Sequence, residues 1–111
     1  MYRIDGYVID DIEYLVIEDK DVCFSETALE LLASRSLGVG ADRVILADRE
    51  QGCLLYVADK YGCCQKPSME DLKLVQRHLA ASGEGAYHFE VRLTDYFFQQ
   101  LVTASTVCRT A

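Results

Sequence analysis

The stretch Leu32-Ala33-Ser34-Arg35-Ser36-Leu37-Gly38-Val39-Gly40-Ala41-Asp42 runs at once into Arg43 and the apolar residues Val44, Ile45, Leu46 and Ala47. It describes a helix that closes on two nearby glycines and hands the chain to a buried strand. Upstream, Ser25 can accept a hydrogen bond from the first free amides of a helix, and Glu26 complements its dipole. Ala28, Leu31, Leu32 and Ser36 then repeat at helical spacing. The helix is expected to stop near Gly38, where a residue without Cβ can enter the left-handed region.

Working outward, residues 2–9 and 12–18 are rich in aromatic and β-branched side chains and are separated by Asp10-Asp11. They read as a strand pair joined by a solvated turn. Residues 43–48 and 53–58 flank the polar loop Arg49-Glu50-Gln51-Gly52 and read as an antiparallel hairpin. Ser68 is placed to cap a second helix, with Glu70 and Asp71 in its first turn, Arg77 and His78 in its last, and Gly83 ending it. Leu72, Val75 and Leu79 mark its expected buried stripe. Tyr87, Phe89 and Val91 alternate with His88, Glu90 and Arg92 as in a half-buried strand, with His88 on the wet face. Residues 95–107 contain Tyr96, Phe97 and Phe98, and their periodicity fits a short helix or a strand, with the helix the favoured reading.

One hundred and eleven residues, half of them hydrophobic and 26% charged, suit a single domain, 1–111, with one core. The formal charge of −7 makes nucleic acid and anionic membrane poor partners. The first residues carry charge where a secretory signal needs an apolar core, and no apolar run approaches the roughly 20 residues that span a bilayer. A cytoplasmic location is expected. The five cysteines, Cys23, Cys53, Cys63, Cys64 and Cys108, show no framework spacing and read as free thiols.

The glycine stretch resembles the L-x-x-R-x-x-G-x-G-A-D segment of the diaminopimelate epimerase family. Three further pieces extend that resemblance over about residues 1–80. The opening Tyr2-Arg3-Ile4-Asp5-Gly6-Tyr7 through Val16-Ile17-Glu18 is similar to the family's first two strands. Tyr56-Val57-Ala58-Asp59 is similar to F-N-A-D, and Cys64 ahead of the Ser68 helix stands near C-G-N-G. The resemblance implies an α+β fold: a curved antiparallel sheet or barrel around the Ser68 helix, with the Ser25 helix packed outside. It also implies one half of a two-lobed racemase that needs no cofactor. In that family a cysteine from each half faces the substrate α-carbon, one thiolate removing the proton and the other thiol returning it, while helix N-termini hold the substrate carboxylate.

The chain departs from that pattern by containing no asparagine. The F-N-A-D asparagine is Val57, and G-N-G after the cysteine is Gln65-Lys66-Pro67. Losing donors in an oxyanion-type site costs roughly 3 kcal/mol apiece, enough to reduce a racemase to background. The function expected is therefore a noncatalytic binding or assembly domain, homo-oligomeric, with a small-molecule or protein ligand. The alternative is an isomerase in which Cys64 from each chain of a dimer is catalytic. No cofactor and no metal are expected: Cys63, Cys64, His78 and His88 lack zinc-site spacing, and Gly38-x-Gly40 lacks the third glycine of a phosphate loop. Asp10-Asp11 and Asp42 read as turn residues.

Overall fold

The structure is a computed structural model, described here for residues 3–18, 25–36, 38–81 and 89–90. The element order is β1 (Arg3–Ile9), β2 (Ile12–Glu18), α1 (Glu26–Ala33), β3 (Arg43–Asp48), β4 (Cys53–Asp59), β5 (Cys64–Gln65), α2 (Met69–Ala81) and β6 (Phe89–Glu90). The strands form one sheet in the order β5-β4-β3-β2-β1-β6.

β1 and β2 pair antiparallel from Ile9↔Ile12 outward. Asp10 and Asp11 between them have φ of 52° and 66°, the pair of left-handed conformations that a two-residue hairpin demands. Aspartate tolerates that region better than most residues, which is why Asp-Asp serves where Asn-Gly is commoner. β3 and β4 form the expected hairpin, with a register irregularity at Leu46/Ala47.

The sheet differs from expectation in two ways. β2 and β3 are parallel, so the sheet is mixed and not purely antiparallel. Helix α1 carries the chain back to the end of the sheet where β2 began, and a strand entered that way runs alongside its predecessor. The described strands also leave β5 and β6 as edges, so they form an open sheet and not a closed barrel.

The two helices lie on opposite faces. Ile4, Leu15, Ile17, Val44, Leu46 and Ala58 pack with Ala28, Leu29, Leu32 and Ala33 of α1. Tyr7, Tyr14, Val16, Ile45, Ala47 and Val57 pack with Leu74 and Val75 of α2. Alternate residues of each strand therefore serve different cores, as the two-residue period requires.

Ser25 caps α1 as expected, its Oγ accepting from the Ala28 amide at 3.1 Å. The helix ends at Ala33, before Gly38, because the glycine stretch folds back on its last turn. The amides of Val39 and Gly40 donate to Leu32 O at 2.9 and 3.4 Å, and that of Ala41 donates to Ala33 O at 3.0 Å. A Cβ on Gly38 would stand 2.1 Å from Leu31 O, so this position needs glycine for space. The left-handed residue is Gly40, with φ of 92°. Asp42 then ties the segment to β2: its amide donates to Glu13 O at 2.8 Å and its Oδ2 accepts from the Glu13 amide at 2.9 Å. Arg35 reaches both acids, at 2.7 Å to Glu13 and 3.5 Å to Asp42. Arg35, Asp42 and the amides of residues 39–42 thus hold helix to strand.

Candidate functional site

Helix α2 buries Asp71, Leu74, Val75 and His78 on one face, at the i, i+3, i+4, i+7 spacing of a single stripe. Leu72, expected in that stripe, is 45% exposed instead. The stripe is apolar in its middle and ionisable at both ends, so each end needs polar partners.

At the N-terminal end Asp71 is fully buried. Its Oδ1 accepts from Arg43 Nε at 2.9 Å and its Oδ2 from Arg43 Nη2 at 2.5 Å. Oδ2 also accepts from the Ser68 amide at 2.8 Å, while Ser68 Oγ accepts from the Asp71 amide at 3.2 Å. This is a reciprocal capping box with an aspartate in the usual glutamate place. Burial pushes the Asp71 carboxyl up, but the bonds from Arg43 and Ser68 outweigh it and hold the group below its ordinary value. Burial and the Asp71 charge raise the nearby Tyr14 phenol. The helix mouth therefore has a carboxylate of its own.

At the C-terminal end the fully buried His78 lies between β1 and β2. The Tyr7 hydroxyl meets its Nδ1 at 2.5 Å, with the rings edge to face at 5.7 Å. Its Nε2 hydrogen-bonds Glu18 Oε2 and lies 3.7 Å from Asp5 Oδ2. Asp5 is 2% exposed. Arg49 closes the group from outside, donating from Nε to Glu18 Oε1 at 2.5 Å, from Nη2 to Oε2 at 3.0 Å, and from Nη1 to Leu79 O at 3.0 Å. Burial raises the Glu18 carboxyl, yet bonds from Arg49 and His78 bring it net below its ordinary value. An ionised carboxylate only accepts, so Nε2 carries the hydrogen and, in the neutral ring, Nδ1 accepts from Tyr7. Proton-sharing groups on three elements thus meet in one nearly dry pocket. Asp5, Glu18 and His78 are also the types and number of side chains that bind a divalent ion.

The residues singled out from sequence lie elsewhere. Cys64 is exposed on the edge strand β5, paired with Ala58, and the helix cap four residues on is Ser68. Cys63 is exposed in the preceding turn. Asp59 organises that turn, its Oδ1 accepting from the Tyr61 and Cys63 amides at 2.9 and 3.0 Å. The Asp59 charge raises the Cys63 thiol above its ordinary value, opposite to what a nucleophilic cysteine needs. Among the described residues no metal-ligand group joins either cysteine to His78. His88 and residues 95–107, with Tyr96, Phe97 and Phe98, lie outside the described residues.

His78 was assigned from sequence to the helix dipole, whereas the structure turns it inward. The signal was its seven-residue distance from Asp71, which puts both on the Leu74–Val75 face. An open groove of about 600 Å³ between α1 and the turn after β4 is lined by Glu30, Arg35, Lys60 and Tyr61 among others, with charges of both signs. The chain matches no family model and no curated protein.

Proposed function

We propose that the chain is a noncatalytic relative of one lobe of diaminopimelate epimerase, serving as a homodimeric binding or assembly domain. The observation that carries this reading is the buried carboxylate that α2 holds at its own mouth. A helix N-terminus that receives a substrate carboxylate must present free amides and a positive end. Here the Asp71 carboxylate takes the Ser68 amide and is neutralised by Arg43. A second carboxylate brought to the same amide would meet a buried like charge.

The glycine stretch supports the same reading, because its hydrogen bonds are spent on the end of α1 and on β2. What it preserves is a scaffold. The exposed Cys64 thiol supports the alternative, an isomerase with one cysteine from each of two chains, to the extent that such chemistry needs an accessible thiol.

Titration with zwitterionic amino acids, diaminopimelate isomers included, followed by amide chemical shifts of residues 68–72, tests the proposal. No saturable shift is expected at millimolar ligand; a saturable shift there would overturn it. Light scattering tests the assembly half, with a particle of about 25 kDa expected, twice the 12.5 kDa chain. A monomer at all concentrations would remove the homodimer.

A further inference from the structure

We propose that Asp5, Glu18 and His78 form a binding site for one divalent cation of the Zn²⁺ type. The three side chains come from β1, β2 and α2, and one ligand atom from each lies within 4.8 Å of the others. They are 2%, 8% and 0% exposed. Zn²⁺ takes imidazole nitrogen and carboxylate oxygen at about 2.0–2.2 Å, which sets neighbouring ligands roughly 3–4 Å apart. The 3.7 Å between Asp5 Oδ2 and His78 Nε2 already meets that spacing. Glu18 and His78 stand closer because a hydrogen joins them, and the ion replaces this hydrogen as the pair widens.

The surroundings supply what a ligand set needs. Metal-bound histidines donate from their second nitrogen, and here the Tyr7 oxygen, 2.5 Å from Nδ1, is placed to accept the hydrogen that shifts there when Nε2 takes the ion. Arg49 fixes the Glu18 carboxylate against His78, with Nε on Oε1 at 2.5 Å and Nη2 on Oε2 at 3.0 Å. One nitrogen with two carboxylates favours Zn²⁺, Mn²⁺ or Fe²⁺ over Ca²⁺, which takes six or more oxygens, and over soft monovalent copper. Arg49, with 41% of its side chain exposed, is the gate through which an ion and its remaining water would pass.

The test uses the full chain after iodoacetamide alkylation, which removes the exposed Cys53, Cys63 and Cys64 as competing ligands. Titration with Co²⁺ should give one equivalent of visible d–d absorption, displaced by Zn²⁺. Asp5→Asn and Glu18→Gln should abolish the absorption, and Tyr7→Phe should weaken binding about 10–100-fold while shifting the spectrum. Zn²⁺ should raise the thermal midpoint of the unsubstituted chain, a readout that does not depend on any variant folding. Absence of that rise, absence of stoichiometric Co²⁺ binding, or a folded Asp5→Asn chain that binds unchanged would each overturn the site.

Discussion

Replacing Asp71 with alanine removes both bonds to Arg43 and one half of the capping box. It leaves a guanidinium whose side chain is only 24% exposed. Orphaning a buried charge costs about 3–5 kcal/mol. Water reaching a quarter of Arg43 reduces this to about 2–3 kcal/mol, and the lost cap adds about 1 kcal/mol. The sum, about 3–4 kcal/mol, stands against roughly 6–16 kcal/mol for a domain of this length, so the variant should fold but weakly. With a urea slope of about 1.5 kcal/mol/M, the midpoint should fall by about 2 M at unchanged slope. In an Arg43→Met background the buried Asp71 carboxylate has already lost its cation, so Asp71→Ala there sets the lost cap, about 1 kcal/mol, against relief of that charge and should cost clearly less than in the parent chain. Equal costs in the two backgrounds, within about 0.5 kcal/mol, would refute the account of the helix mouth.

The acid limb of stability should report the same groups. Asp71 and Glu18 both titrate below their ordinary values of 3.8 and 4.5 when folded. Their contribution is therefore complete above those values and lost as pH falls through the lower folded ones. Urea midpoints measured from pH 6 to 2 should drop chiefly below about 4, and Asp71→Asn should flatten that limb; an unchanged limb in the variant would count against the pairing. Gly38→Ala places a methyl 2.1 Å from Leu31 O and should cost about 3 kcal/mol or more in the same assay, a loss under about 1 kcal/mol being the contrary result. Cys63, raised above its ordinary value by Asp59, should label with iodoacetamide more slowly than the same thiol in an Asp59→Asn chain at the same pH, read by peptide mass. A rate unchanged by Asp59→Asn would contradict the influence of that carboxylate on the thiol.

Much of the fold was legible because its signals are local. Asp10-Asp11 marked a hairpin through its tolerance of positive φ, and Ser25 and Ser68 marked helix starts through side chains that reach backbone amides. Gly38 was recognised as the stop for α1, although the helix ends five residues sooner because amides of the glycine stretch capture its last carbonyls. The strand–helix–strand order from β2 to β3 carried the parallel pairing, which the family resemblance obscured. Sheet closure was beyond reach, since it depends on which distant edges meet. The acid–histidine pocket was missed for a different reason: a stripe traced through apolar residues alone put Leu72 inside and left out Asp71 and His78. Burial of those two is decided by Arg43, Tyr7 and Glu18, partners between 28 and 71 residues away in sequence.

Solvent exchange most directly tests the proposal that the chain, its α2 mouth occupied by Asp71, is noncatalytic. The purified chain, incubated in D₂O with diaminopimelate isomers and a panel of amino and hydroxy acids, should incorporate no deuterium at the α-carbon above the buffer rate. Incorporation that disappears in Cys64→Ala would contradict it.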